Sequence, residues 1–351
     1  MATAEVTVRG AGIFGLAVAW ACLKRGARVR VVESRRVGAG ASGGIVGALA
    51  PHVPGAWNDK KAFQLDSLLM AEAWWAGVAA AGGLDPGYAR TGRLQPLADA
   101  GAVALAGERG RAAAKLWGGA AEWRIVGAEA APEWAPPSPT GRYVLDTLSA
   151  RIHPRLAVAA LAAAIRARGG EIVEGAGAGE PPDAGLVVHA TGWEGLGELS
   201  AALGRPAGGG VKGQAALLRL DAATRPQLFA GGLHIVPHGD GTVAVGSTSE
   251  RDFALPGATD AALDALVERA RTLCPALAGA KVLERWAGVR PRARSRAPIV
   301  GPWPGRPGHF IANGGFKIGF GMAPKAGEAL ADLLLDGRDT IPEGFRAQAN
   351  I

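Results

Sequence analysis

The turn Gly10-Ala11-Gly12-Ile13-Phe14-Gly15 limits what this chain can fold into more than any other feature of it. It follows a short run, Val6 to Arg9, that reads as a strand, and it opens an apolar helix that runs to about Arg25, where Gly26 ends it. A second strand, Arg28 to Val32, follows at once and stops at Glu33, 18 residues past Gly15. Glycines at these spacings let the backbone approach a diphosphate, and the helix behind them aims free N–H groups at its charge. A carboxylate closing the second strand suits ribose hydroxyls and repels a 2′-phosphate. The unit is a βαβ dinucleotide fold, so the chain is α/β with a Rossmann-like domain.

The rest of the pattern is uneven. A Gly/Ala-rich loop (37–54) precedes a helix over about 60–80, with Phe63, Leu65, Leu68, Leu69 and Trp74 on its apolar side. The stretch 90–134 is irregular and bears tryptophans, and it reads as a separate lobe. A helix over 155–168 closes at Gly169-Gly170 and feeds a strand at 171–173, and a buried strand from Leu186 ends at Thr191-Gly192. From about 211 to 248 residues alternate as in an antiparallel sheet, a helix follows over 259–273, and a strand lies around Ala287. The section 298–337 returns to strand, glycine turn and helix. This order implies a discontinuous dinucleotide domain (1–82, 142–208, 288–351). The second domain (83–141, 209–287) is α+β on a mostly antiparallel sheet.

Composition removes several classes. With 48% hydrophobic and 20% charged residues the chain can build a large core, which excludes disorder. The net charge of +7 comes from 38 basic against 31 acidic residues, but only eight are lysine, which fits compositional bias better than polyanion binding. Five arginines (285, 290, 292, 294, 296) form the one basic cluster, read as a solvated face or an entrance for an anionic substrate. Cys22 and Cys274 have no metal-ligand spacing, so no metal site is expected, and two isolated thiols fit a reducing compartment. The apolar run 10–23 is too short to span a bilayer, and a cytoplasmic protein without membrane contact is expected.

Further motifs follow: Val-Gly-Ala-Gly-Ala-Ser (37–42), Ala190-Thr191-Gly192, Val211-Lys212-Gly213-Gln214, His234-Ile235-Val236-Pro237, Val245-Gly246-Ser247-Thr248, Gly288-Val289-Arg290-Pro291 and Gly314-Gly315-Phe316-Lys317. In order and spacing these resemble the glycine oxidase, D-amino-acid oxidase and sarcosine oxidase family of flavoenzymes, over residues 4 to about 337. The resemblance implies FAD, with Gly10, Gly12, Ile13, Phe14 and Gly15 at the diphosphate, Glu33 at the ribose, and Ser42 donating to the diphosphate. It implies that Gly47 and Ala48 let the isoalloxazine lie against backbone and that Ala178 lies by the adenine. Ser34, Ala41, Thr191 and Gly192 are implied as further contacts, with Gly314, Gly315, Phe316, Lys317 and Ile318 at the flavin edge. Neither cysteine stands where sarcosine oxidases tether FAD, so the cofactor is expected to be noncovalent. The stretch between Val173 and Leu186 is short for the strands the family inserts there.

For the substrate, the resemblance assigns Arg290 to clamp a carboxylate with its planar fork, and Lys317 as a second cation facing the flavin. His234 stands where related glycine oxidases carry tyrosine. An imidazole there either donates the same hydrogen bond, or titrates near neutral pH and acts on the substrate ammonium, or packs as a satisfied histidine. His52 and His238 read as structural. Together these imply oxidation of the C–N bond of a small amino acid or N-substituted glycine: hydride passes to flavin N5, an imine hydrolyses, and oxygen or another acceptor takes the electrons. Two alternatives stand beside this. Residues 40–51 also resemble the FAD domain of the enzyme that trims carboxymethylaminomethyl-uridine in tRNA. That enzyme's methyltransferase domain has no counterpart here, and no Lys/Arg run is interleaved with aromatics, so nucleic acid is not the expected partner. The other alternative is a flavoprotein that binds ligand without turnover. Assembly into a homo-oligomer is compatible with either.

Overall fold

The computed structural model describes residues 4–177 and 183–350. Strand β1 (Glu5–Arg9), helix α1 (Ile13–Lys24), β2 (Arg28–Glu33), β3 (Ala48–Leu49) and α2 (Asp59–Gly82) come first. They are followed by β4 (Arg93–Pro96), α3 (Ala100–Leu116), β5 (Trp123–Val126), β6 (Tyr143–Asp146) and β7 (Ala150–Arg151). Next are α4 (Pro154–Ala167), β8 (Glu171–Glu174), β9 (Leu186–His189), α5 (Gly192–Leu203) and the long β10 (Gly208–Arg219). Strands β11 (Gln227–Ala230), β12 (Leu233–Pro237) and β13 (Thr242–Gly246) lead to α6 (Ala261–Leu273) and β14 (Val282–Ala293). Then come β15 (Ile299–Pro302), β16 (His309–Asn313) and α7 (Gly319–Asp336).

Two large sheets and a two-stranded antiparallel pair, β3-β7, organise these elements. The first has the order β15-β16-β9-β1-β2-β8, parallel except where β15 meets β16. Alternation along its strands sorts the helices onto two faces. Val300 and Ala312 join the core that holds α1, α4 and α7, whereas their neighbours Ile299 and Ile311 pack with Leu196 and Leu199 of α5. Helix α1 is buried on every side from Ile13 to Cys22 because α4 and α7 cover what the sheet does not. The second sheet runs β14-β10-β13-β12-β11-β4-β6-β5 and is antiparallel except between β11 and β4. It includes β6 and all of β14 to Ala293, so segments 142–208 and 288–351 each contribute residues that pair there.

Two local expectations are corrected. The stretch 90–134 is not irregular: it holds β4, the 17-residue α3 and β5. Its helical pattern is hidden because Gly107 and Gly110 interrupt it and only Ala106 and Ala113 of α3 are buried. Gly110 has a packing reason, since a Cβ there would lie 2.8 Å from the carbonyl oxygen of Trp123. Leu69 is 36% exposed and leaves the apolar side of α2, about 100° round from the buried Leu68.

Candidate active site

A cavity of about 1050 Å³ runs from the carboxyl ends of the parallel strands, where Gly10, Glu33, Ala190 and Asn313 lie, to β12, β13 and β14 of the second sheet. Ligands of open α/β sheets bind at that edge.

At the first-sheet end the turn after β1 is closed by contacts no side chain would permit. Gly10 has φ +102°, and a Cβ on it would sit 2.5 Å from the Ala190 carbonyl oxygen; a Cβ on Gly15 would lie 2.0 Å from the oxygen of Gly10. Ile13 N–H, at the start of α1, donates to Ser42 Oγ at 2.9 Å, which leaves the Ser42 hydroxyl hydrogen for another acceptor. Each Glu33 oxygen accepts one backbone N–H, Oε2 from Ala11 and Oε1 from Arg35, both at 2.9 Å. The carboxylate is thereby fixed with lone pairs to spare. Gly47, at φ +59°, comes so near the chain that a Cβ would be 1.8 Å from the Ile152 oxygen. A glycine cradle, a helix N-terminus and a held carboxylate fit a dinucleotide such as FAD.

Of the residues singled out from the sequence, Gly10, Gly12, Ile13, Phe14, Glu33, Ser34, Ala41, Ser42, Gly47, Ala48, Thr191, Gly192, Gly315, Phe316, Lys317, His234 and Arg290 all line this cavity. Gly15, Gly314 and Ile318 do not. Gly15 lets α1 pack on the turn, Gly314 (φ +77°) lies against Ala293, and Ile318 caps α7 and accepts from Met322 N–H. Ala178 lies outside the described residues. Trp193, Ser247 and Trp286 also line the cavity, and sequence reasoning missed them. For Trp286 a signal existed: in Trp-Ala-Gly, a Cβ on Gly288 would meet its ring at 2.5 Å.

At the other end the two sheets are joined by main chain. Phe316 N–H donates to the Pro291 oxygen at 2.9 Å, and Arg292 bridges Gly315, which sets the turn before α7 beside β14. The ring of Phe316 has Arg290 Cζ at 5.6 Å, Arg292 Cζ at 5.7 Å and Lys317 Nζ at 5.7 Å from its centroid. Arg290 Nη1 donates to Ser247 Oγ at 2.6 Å, and Nη2 donates to the carbonyl oxygens of Thr248 (2.7 Å) and Lys212 (3.3 Å). Both hydrogens of Nη2 are engaged, so the free two-pronged fork expected of Arg290 is not what the chain presents. The guanidinium fits only because residue 213 is glycine, where a Cβ would lie 1.9 Å from Nη2.

Neither Arg290 nor Lys317 pairs with a carboxylate among the described residues. Glu250, whose charge reaches Arg290, is held by buried Lys212 at 3.3 Å and by Gln214 at 3.0 Å. Burial pushes Arg290 down to about 10, against the opposing pull of Glu250, and burial followed by the charge of Arg290 pushes Lys317 below the ordinary lysine value. Half-buried Arg290 and the more exposed Lys317, both on the cavity wall without counter-charge, make an anion site.

His234 lies on β12 with its ring 4.6 Å from that of Phe229, and its Nδ1 is buried without a partner. Burial, then Arg93 and Lys317, push its pKa down to about 3, so the imidazole is neutral at physiological pH and the expectation that it titrates near neutrality is corrected. His238 Nε2 donates to the Ile45 oxygen at 2.8 Å, and His52 faces Gln64. Of the arginine cluster only Arg290 lines the cavity, and Arg285 pairs outward with Asp264 at 2.5 Å. Neither cysteine lines the cavity, and burial raises Cys22 to about 12 and Cys274 to about 11, which keeps both as thiols.

A dinucleotide cradle continuous with a chamber bearing two unpaired cations is the architecture of a cofactor-dependent oxidoreductase. The family model for FAD dependent oxidoreductases, DAO, matches residues 5–333, and the chain belongs to that family. The putative thiamine biosynthesis oxidoreductase ThiO of Rhizobium etli is 32% identical over 346 residues, covering 95% of this chain and 97% of that protein. The glycine oxidase of Pseudomonas aeruginosa is 36% identical over 132 residues, so the match spans 37% of this chain and just over a third, 36%, of that relative. Among solved structures, glycine oxidase from Geobacillus kaustophilus superposes with TM-score 0.86 at 23% identity, over 99% of this chain and 100% of that one. Iminodiacetate oxidase (IdaA) from Chelativorans sp. BNC1 superposes with TM-score 0.83 at 20% identity, over 97% and 98%. These likenesses show the fold: a mixed α/β protein with a Rossmann-like FAD-binding domain and a sheet-rich second domain.

Proposed function

We propose that this FAD-dependent oxidoreductase oxidises the C–N bond of a small amino acid or N-substituted glycine, in the cytoplasm, with oxygen or another acceptor taking the electrons. The observation that carries the reading is the pair of cavity-lining cations, Arg290 and Lys317, that no carboxylate of the described residues neutralises. The names of the relatives, glycine oxidase and iminodiacetate oxidase, point to the same substrate chemistry.

Arg290 and Lys317 hold the substrate carboxylate and so orient its α-carbon, which is the larger part of what such a reaction asks of a protein. The same two cations, with Arg93 near His234, disfavour an ammonium in the chamber, so the amine reacts neutral and its nitrogen lone pair assists departure of the Cα hydrogen. His234 is neutral, and a buried Nδ1 without an acceptor holds a lone pair at less cost than a proton beside Arg93. The proton then sits on Nε2, which donates toward the cavity. FAD would supply the hydride acceptor; the glycine turn, Ser42 and Glu33 would hold it noncovalently, and the N-terminus of α7, beside Phe316 and Lys317 at the cavity, would favour negative charge there. The product imine hydrolyses in water without a protein base.

The test is an anaerobic screen of amino acids and N-substituted glycines against the FAD-loaded protein. Bleaching of the flavin by at least one of them, with affinity lost by more than tenfold in Arg290→Ala, is the expected result. Binding without bleaching across the panel would mark a ligand-binding flavoprotein, and an unchanged affinity in Arg290→Ala would remove the assignment of that residue.

A further inference from the structure

We infer that Ser247 is a direct ligand of the substrate carboxylate, donating its hydroxyl hydrogen beside Nη1 of Arg290. The inference rests on the reading that Arg290 meets that carboxylate, and it names a contact which that reading lacks.

The hydrogens of Arg290 decide the matter. A guanidinium grips a carboxylate in two-pronged fashion along the edge shared by Nη1 and Nη2 or the edge shared by Nε and Nη2. Both edges need a free hydrogen on Nη2, and those are directed to the carbonyl oxygens of Thr248 and Lys212. Nε is buried without a partner and offers nothing to the cavity. One N–H of Nη1 goes to Ser247 Oγ, so a single N–H, the second on Nη1, is left for a ligand. A carboxylate has two oxygens with about four lone-pair sites, so beside one N–H of Arg290 and the ammonium of Lys317 it has room for a further donor.

Ser247 supplies it. Its oxygen accepts from Nη1 at 2.6 Å, it lines the same cavity, and its own hydrogen has no acceptor among the described residues. Accepting from a cation polarises the hydroxyl and makes it a better donor. Two donor atoms 2.6 Å apart match the two oxygens of one carboxylate.

The pair is also held still. Thr248, the next residue, is tied to β10 twice: its N–H donates to the Gln214 oxygen at 3.1 Å, and its Oγ1 accepts from Gln214 N–H at 2.8 Å. The Thr248 hydroxyl donates to Glu250, which the buried Lys212 secures. Serine at 247 is thus presented by a segment that cannot swing away while β10 and β13 remain paired.

The experiment titrates the FAD-loaded protein with glycolate, a small carboxylate without an amine, and follows the flavin absorbance. Four proteins are compared: the parent, Ser247→Ala, Ser247→Thr and Arg290→Ala, each checked for flavin content and melting temperature. The expected result is a dissociation constant raised roughly tenfold in Ser247→Ala, the size of one charge-assisted hydrogen bond, and restored to within about twofold in Ser247→Thr, which keeps the hydroxyl. Weakened binding in Arg290→Ala with none in Ser247→Ala overturns this inference and leaves the proposed function standing. Equal weakening in Ser247→Ala and Ser247→Thr also overturns it, because the hydroxyl is then not the donor. Unchanged binding in Arg290→Ala removes the proposed role of Arg290 and this inference with it.

Discussion

Replacing Gly213 by alanine tests the site through a residue that touches neither substrate nor cofactor. The added Cβ would stand 1.9 Å from Nη2 of Arg290, 2.4 Å from Cζ and 2.9 Å from Nη1. Carbon atoms in contact keep about 3.5 Å, so the guanidinium must retreat by roughly 1.5 Å. That displacement breaks its bonds to the oxygens of Thr248 and Lys212 and its contact with Ser247. Misplacing a substrate-orienting group by about 1 Å costs on the order of 100-fold in rate, or about 2.7 kcal/mol. The fold loses less, about 1 kcal/mol, because the group pushed aside ends a flexible side chain next to an open cavity. Anaerobic stopped-flow reduction of the flavin at varied substrate concentration gives the affinity and the limiting rate separately. Gly213→Ala should fall about 100-fold in the second-order rate constant with its melting temperature lowered by only a few degrees. Gly209→Ala, on the same strand with nothing within 4 Å of the new Cβ, should match the parent. If Gly213→Ala reduces its flavin as the parent does, Arg290 does not orient the substrate from the position described.

Three further outcomes are expected. Burial and Arg290 lower the pKa of Lys317, so its anion affinity is complete at neutral pH and is lost as pH rises through a value below that of an ordinary lysine. The apparent affinity for glycolate should therefore weaken at alkaline pH in the parent, and Lys317→Arg should move the onset of that loss to higher pH, where Arg290 titrates. Glu33→Ala removes the acceptor of Ala11 and Arg35 N–H groups as well as the ribose ligand, and should purify with less than a tenth of the parent's FAD by absorbance. Asp146 is fully buried against Arg93 at 3.0 Å and also accepts from Ser149 N–H, so Asp146→Ala should cost about 3–5 kcal/mol in urea unfolding; a loss under 1 kcal/mol would refute the buried pairing.

What could be read in advance follows from how local each signal is. The strand, glycine turn, helix and acid of residues 5–33 lie in one short run, and each glycine has a steric reason that sequence spacing conveys. Helix α3 escaped notice because its contacts are few and two glycines interrupt it. The state of His234 depends on Arg93 and Lys317, which the second sheet and the turn before α7 bring to it from distant parts of the chain, and no window around residue 234 carries that information. Ser247 was hidden for a related reason: its importance appears only when the hydrogens of Arg290 are counted, and their acceptors lie on β10 and just beyond β13. Gly314 and Ile318 matched a motif but serve the turn's geometry instead of facing the cavity.

The join between β14 and the turn before α7 has a consequence for redesign. The two backbone links at Pro291 and Arg292 act as a weld, so the span from Arg290 to the start of α7 is set by peptide geometry and not by any side chain. The far wall, with Phe229 and His234, belongs to a hairpin two strands removed from that weld. Substitutions at 229 and 234 therefore reshape the far wall of the chamber without touching the weld, whereas an insertion at the weld would shift Arg290 and the start of α7 relative to each other.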